Sequence, residues 1–323
     1  MEKWRVIAVY RDAYKLSRED KQVVAKLTGG FFSAIEKKRD FPCVGDYVQL
    51  NETEMIEGVI ERRNILSRKS AGRKHEEQVF ASNVDIMFIV TSLNKEFNIN
   101  KIGRYIILAE TNHIKPIVLL TKSDLCDDIE FYINKVNCFY PAAEVKVVSS
   151  LKNIGVETIY NMLDNGKGAV FVGASGVGKS TLVNKLIGKD EIKTAEVRVR
   201  DDKGKHTTTH RELYELKNGA YVIDTPGIRE IGLWINDDEL PGYQDIYLLS
   251  RACRYRDCSH VNEKECAVKK AVEDGELTRE RYNSYIKMSR EMYYSKLSQN
   301  EGERLRFKSK VKRQSMNERY TKR

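Results

Sequence analysis

The stretch Gly173-Ala-Ser-Gly-Val-Gly-Lys-Ser180 constrains this chain more than any other. It reads G-x-x-x-x-G-K-S, the pattern of a phosphate-binding loop. The apolar run Ala169-Val-Phe-Val172 leads into it, and Thr181-Leu-Val-Asn-Lys-Leu-Ile187, with helical spacing, leads out. That strand–loop–helix context separates the motif from an ordinary glycine-rich turn. Glycines let backbone N–H groups turn inward toward phosphate oxygens, and the following helix adds the positive end of its dipole. The expected nucleotide contacts are therefore Gly173, Ala174, Ser175, Gly176, Val177 and Gly178, with Lys179 on the β- and γ-phosphates, Ser180 on Mg²⁺ and Thr181 in the first helical turn.

Three more apolar runs precede the loop: Asp85-Ile-Met-Phe-Ile-Val90, Pro116-Ile-Val-Leu-Leu120 and Glu144-Val-Lys-Val-Val148, with helical spacing from Ile102 to Thr111 between the first two. Continuous apolar strands alternating with helices predict a doubly wound α/β sheet with its ligand loops at the carboxyl ends of the strands. The second run ends in Thr121-Lys-Ser-Asp124, which fits the guanine-specificity element [NT]-K-x-D. A carboxylate at Asp124 accepts two hydrogen bonds from the N1–H and exocyclic amine of guanine, a pair of donors that adenine lacks. Lys122 would cover the face of the base. Ser149 and Ser150 end the third run, where a loop backbone meets the guanine oxygen. These residues point to a guanine nucleotide.

Beyond the phosphate loop, Lys189 to Arg200 is polar and reads as a switch segment. In Gly204-Lys-His-Thr-Thr-Thr209, Thr208 is the favoured residue to close over Mg²⁺ and the γ-phosphate; the alternative is that the triplet merely opens the strand His210 to Leu216. Tyr221-Val-Ile-Asp-Thr-Pro-Gly227 carries D-x-P-G, placing Asp224 on Mg²⁺ through water and the Gly227 amide on the γ-phosphate. Many GTPases follow this glycine with a glutamine that orients the attacking water, but here Ile228 stands in that place. His206 is the candidate to position the water, or else a partly buried structural histidine. The base-reading loops precede the phosphate loop, the reverse of the usual order, so the nucleotide domain is circularly permuted. New surface termini leave such a sheet intact.

The flanks are of different kinds. Residues 1 to about 71 carry short strand-like runs, with turns at Gly29-Gly30 and Gly45-Asp46, and suit a small OB-type barrel, a frequent nucleic-acid binder. Arg62, Arg63, Arg68 and Lys69 favour RNA contact, and Gly72 to Glu77 reads as a polar linker. After Trp234 comes Cys253-x₄-Cys258-x-His260-x₅-Cys266, three thiols and an imidazole within fourteen residues. Cys₃His is a tetrahedral zinc set, and with four ligands the site would be closed and structural. Lys269 to Met292 reads as helices rich in Lys, Arg and Tyr. The six cysteines are too scattered for a disulfide framework, no apolar run approaches a membrane span, and the first residues lack a signal-peptide core, so a cytoplasmic protein is expected. Of the net charge of +9, +7 lies between Glu303 and Arg323. Such a tail suits a polyanion such as RNA, or is a solvated terminus.

Taken together, the permuted order, Gly-Lys-His-Thr-Thr-Thr, Asp-Thr-Pro-Gly-Ile and the Cys-x₄-Cys-x-His-x₅-Cys cluster resemble the RsgA (YjeQ/YloQ) family of circularly permuted GTPases of small ribosomal subunit biogenesis. Pro42-Cys-Val-Gly-Asp-Tyr-Val48 resembles that family's N-terminal OB domain, and the resemblance runs over roughly residues 1 to 295. It implies a bacterial, monomeric GTPase that binds the 30S subunit and its 16S rRNA late in maturation, hydrolyses GTP to GDP and phosphate when stimulated by the subunit, and is then released. It implies no membrane, one structural Zn²⁺ on Cys253, Cys258, His260 and Cys266, Mg²⁺ with the nucleotide on Ser180, Thr208 and Asp224, and catalysis by His206 with Lys179 and Thr208. The implied architecture is an OB barrel over residues 1–71, a permuted P-loop GTPase domain over 78–235, a small helical zinc-binding domain over 236–295 and a basic tail over 296–323. Lys205 departs from the arginine common there, keeping the charge without the guanidinium geometry. Two other readings stand beside this one: an RNA-binding scaffold with structural GTP, favoured by Ile228, and a P-loop ATPase, opposed by Asp124.

Overall fold

The structure is a computed structural model that describes residues 2–69, 77–94, 97–164, 166–188, 212–224, 240–294 and 297. Its chain divides into two compact units, Met1–Ser67 with Val79–Ile231, and Arg68–Gln78 with Gly232–Arg323.

In the first unit, short alternating segments build a barrel from β1 (Trp4–Val9), β2 (Tyr14–Arg18), β3 (Lys21–Ala25), β4 (Tyr47–Leu50) and β5 (Ile56–Val59). β1 pairs antiparallel with β2 and β4, β2 with β3, and β4 with β5, while a parallel bridge from Leu27 to Ile56 links the β3 end to β5. That cyclic order is the OB topology. Trp4, Val6, Leu16, Val48 and Ile56 fill its core. The stretch Gly29-Gly30 is not the expected turn but opens helix α1 (Gly29–Ala34). Thr28 stands at its N-cap, and its side chain accepts a hydrogen bond from Phe31 N. A cap decides the local conformation here against the weak helix propensity of two glycines.

Arg62, expected to face RNA, turns inward, whereas Arg63 keeps 59% of its side chain exposed while pairing locally. The Arg62 guanidinium donates to both carboxylate oxygens of the fully buried Asp46, at 2.8 and 2.7 Å, and to the carbonyls of Arg39 and Phe41. Ser82 Oγ and Cys43 N also donate to that carboxylate, so the buried charge is fully partnered. Arg63 donates to Asp85 and to the Asn83 carbonyl. Charge spacing in sequence does not reveal which cations fold inward.

Two strands, β6 (Ile65–Lys69) and β7 (Glu77–Ser82), form a separate two-stranded sheet, so Glu77 belongs to a strand rather than to a linker. The central sheet then follows: β8 (Ile86–Ser92), α2 (Ile99–Thr111), β9 (Lys115–Thr121), α3 (Ile129–Phe139), β10 (Glu144–Val148), α4 (Val156–Asn161), β11 (Gly168–Val172), α5 (Lys179–Ile187), β12 (Glu212–Glu215) and β13 (Tyr221–Asp224). The spatial order is β10-β9-β8-β11-β13-β12, and all these pairings are parallel except that of β12 with β13. Every residue of β8 and β11 is buried, as a strand covered on both faces requires. Phe88 and Phe171 stack at 4.9 Å in this core, where each fully buried large apolar side chain contributes about 1.5–3 kcal/mol. The edge strand β10 is marked by charge instead, with Lys115 and Lys146 paired to Glu144.

In the second unit, α6 (Gln244–Ser250) and α7 (Ala267–Glu273) accompany helical residues 279–294. Arg281, only 4% exposed in its side chain, grips Asp245 with two nitrogens and lies 4.9 Å over the Tyr243 ring. Leu240, Tyr243, Ile246, Val268, Leu277 and Met288 are among the residues of its apolar interior. Among the described residues no helix is long and apolar enough to cross a membrane.

Candidate nucleotide site and metal centre

Parallel register brings the strand ends to one edge. Phe171 faces Asp224, Val172 faces Ile89, and Thr121 faces both Ser92 and Val148. The phosphate loop leaves β11 there. At Gly173 φ is +146°, and an added Cβ would stand 2.1 Å from the Val90 carbonyl oxygen, so only glycine lets the loop pass this close to β8. Gly178, at φ +98°, turns the chain into α5, whose first residue is Lys179. Lys179 Nζ donates to the carbonyls of Gly173 and Ala174 at 2.9 and 2.6 Å. The ammonium is thereby held against the backbone of the loop. Ser175, Gly176 and Thr181 are exposed, Ser180 is half-buried, and Val177 is anchored in the core.

The base-reading corner is tied to this loop. Thr121 Oγ1 donates to the Val177 carbonyl at 2.6 Å, joining the end of β9 to the phosphate loop. Lys122 takes a left-handed conformation at φ 58°, which starts the short 3₁₀ turn Ser123–Leu125 and sets Asp124 on the rim. Ser149 Oγ donates to Asp124 Oδ1 and accepts from Lys152 N at 3.1 Å. Ser149 is fully buried, so the carboxylate that would meet guanine is aimed by a fixed hydroxyl. Sequence reading assigned Ser149 a backbone role and missed this side-chain bond. The signal was the serine itself, in a position that a loop backbone contact does not require to be polar. Ser150 lies beside it, half-buried. Asp224, 7% exposed, ends β13 next to β11. His206, Thr208 and Gly227 lie outside the described residues.

The cysteine cluster closes as a unit. One ligand atom from each of Cys253, Cys258, His260 and Cys266 lies within 4.8 Å of all the others. His260 presents Nδ1, 3.6 Å from Cys253 Sγ and 3.4 Å from Cys266 Sγ. Burial lowers the His260 pKa, which keeps the imidazole neutral as a ligand must be. Burial also pushes the Cys258 thiol up to about 12, with Cys266 and Cys253 adding to the shift; a divalent cation among the sulfurs reverses that and holds them as thiolates. The donor set, its closure and its geometry therefore fit a metal ion. Around it, the Glu263 carboxylate accepts from the backbone of Ser259, Val261 and Asn262, and Tyr282 OH donates to the His260 carbonyl at 2.6 Å.

A model of the family described as RsgA GTPase matches residues 59–234, more than half of the chain. The chain belongs to the RsgA GTPase family. It is therefore a GTP-hydrolysing enzyme, and the strand order is that of a circularly permuted GTPase. The "Small ribosomal subunit biogenesis GTPase RsgA 1" of Listeria monocytogenes is 40% identical over 291 residues, 90% of this chain and 83% of that protein. The "Small ribosomal subunit biogenesis GTPase RsgA 2" of Vibrio vulnificus is 39% identical over 292 residues, 90% of this chain and 81% of that protein. Among solved structures, YjeQ from Thermotoga maritima matches with a TM-score of 0.65 and 29% identity over 90% of this chain and 98% of that one. The circularly permuted GTPase YloQ matches with a TM-score of 0.64 and 30% identity over 91% and 95%.

Proposed function

We propose that this enzyme acts in the cytoplasm on the 30S ribosomal subunit late in its maturation, binding 16S rRNA and coupling hydrolysis of GTP to GDP and phosphate to its own release. The observation that carries this reading is the guanine corner, Asp124 aimed by Ser149 beside a formed phosphate loop, in a chain whose relatives are named for small-subunit biogenesis. Lys179 leaves its loop carbonyls for the β- and γ-phosphates. Ser180, Thr208 and Asp224 would hold Mg²⁺, which supplies charge neutralisation between the phosphates. Thr208 and the Gly227 amide sense the γ-phosphate, and His206 positions the attacking water in place of the glutamine that Ile228 replaces. Cys253, Cys258, His260 and Cys266 hold one structural Zn²⁺. The barrel and the cysteine-bearing unit supply the rRNA contacts, and the basic tail adds charge.

Steady-state GTP hydrolysis by the purified protein, with and without 30S subunits and with 50S subunits as control, tests this. Selective stimulation by 30S is expected; tight GTP binding with no stimulation would favour the scaffold reading that Ile228 motivates.

A further inference from the structure

The hairpin β12–β13 joins the nucleotide site to the N-terminal barrel more closely than the domain order suggests. Its nucleotide end is one rung across three strands: Asp224 pairs with Glu212, and Glu212 pairs with Ala8 of β1. β1 is shaped for this. One edge stays paired with β2 through Val9, with a register shift between Val6 and Ala8; the other bonds to the barrel's own Asp46 and Gly45 at Val6 and passes to β12 at Ala8. The far end of the hairpin is held by the same strand. The Arg5 guanidinium lies 3.9 Å over the ring of Tyr221, the first residue of β13, and 4.6 Å over the Tyr47 ring of β4. Tyr221 is fully buried, donates its hydroxyl to the Asn83 carbonyl and covers Gly168, where a Cβ would stand 2.4 Å from its ring. The strand that ends in Asp224 is therefore gripped at its start by Arg5 and braced at its end through Glu212. On one side of β12 lies an open groove of ≈ 360 Å³ between Ile7, Lys15, Leu213 and Ile187.

We propose that the N-terminal barrel is a positioning element for GTP hydrolysis: a ligand that grips the barrel acts through Arg5 and the Ala8–Glu212 rung on the hairpin that carries Asp224. Arg5 is then a positioning residue, and the stimulating ligand is the RNA surface of the small subunit, an identity that rests on the function proposed above. β12 and β13 are short, with four paired residues between them, so a displacement at one end reaches the other. Barrel occupancy and nucleotide state bias the same element, which is what coupling between two sites requires.

The test is a reversible lock. In antiparallel pairs facing Cα atoms are about 4.5–5.5 Å apart, within reach of a disulfide. Full-length protein carrying Ala8→Cys and Glu212→Cys is assayed oxidised and reduced, with wild type passed through the same oxidation to control for native thiols. Oxidation is expected to cut stimulation by 30S subunits about tenfold, with GDP affinity and co-sedimentation with 30S retained, and reductant to restore it. Equal stimulation in both forms overturns the proposal. Arg5→Ala is expected to lower stimulated kcat about tenfold with KM for GTP unchanged, and Arg5→Lys, a cation that stacks less well, to recover part of it. If 30S does not stimulate wild type at all, the function proposed above fails, and hydrogen exchange decides this inference separately. Amides of residues 4–9 in the isolated protein should exchange differently with GDP and with a non-hydrolysable GTP analogue. Identical exchange overturns the coupling.

Discussion

The guanine corner and the cysteine cluster are both small polar constellations, yet they are held by different means. Asp124 and Ser149 stand at the ends of β9 and β10, strands locked by a five-residue parallel register and, on the β9 side, by a further seven with β8. The corner inherits its geometry from a packed sheet and needs no ligand to keep it. The cysteine-bearing unit has no central sheet among its described residues and a smaller interior, with Tyr243, Ile246, Val268 and Met288 buried. The cluster's loop is ordered by bonds to the Glu263 carboxylate and from the Tyr282 hydroxyl. A site of the first kind is prepared by the fold, whereas one of the second kind would be completed by a cation held among its ligands.

The comparison breaks most sharply if the metal is removed. Chelation, or Cys258→Ser, should abolish cooperative unfolding of the cysteine-bearing unit, because zinc held by such ligands contributes on the order of 10 kcal/mol. The nucleotide domain should keep its transition and its GDP affinity. Calorimetry with metal analysis checks this, and a unit that melts unchanged without metal would put both sites in the first class.

A smaller effect is expected at Lys179. Lys179→Ala should lower turnover by about 10²–10³ while circular dichroism stays unchanged, since the loop is held by Gly173 and Val177 rather than by the ammonium. Next comes Asp124→Asn, which should weaken GTP by roughly 10²-fold and raise affinity for xanthosine nucleotides, because an amide supplies a donor where xanthine carries an acceptor. Competition binding with both nucleotides checks it, and an unchanged preference would mean that Asp124 does not read the base.

The finest comparison pairs one supporting residue from each site. Ser149→Ala should weaken GTP about tenfold, and the loss should vanish in an Asp124→Ala background if the hydroxyl acts only through that carboxylate. Glu263→Gln should weaken metal binding about tenfold while leaving GTP untouched. The Ser259 hydroxyl and neighbouring backbone N–H groups hold the Glu263 carboxyl down to about 2. A depressed carboxylate pKa means that its support is full above about pH 4.3, the ordinary glutamate value, and fades only as pH falls toward 2. The variant and wild type should therefore differ at neutral pH, where the wild-type carboxylate is fully ionised.

Much of this was legible in the residues. The phosphate loop, Thr-Lys-Ser-Asp and the cysteine spacing are local patterns whose chemistry depends on neighbours close in sequence, and the buried strands announce themselves as unbroken apolar runs. What could not be read are the relations between distant segments. Nothing in Ser149 names Asp124 as its partner, nothing in Arg62 foretells that it turns inward to Asp46, and the glycines at 29 and 30 conceal a helix start that Thr28 caps.

By itself, then, the sequence supplied the phosphate-loop and Thr-Lys-Ser-Asp patterns, the candidate metal-ligand set and the permuted order, because each is written in residue types at short spacing. Only the tertiary structure decided that β1, while staying in its barrel, also pairs with β12 beside the strand ending in Asp224, and that Arg5 lies over Tyr221. Those contacts depend on a register shift and on which edge of a strand is left open, quantities set by packing across more than two hundred residues of chain and invisible to any local pattern.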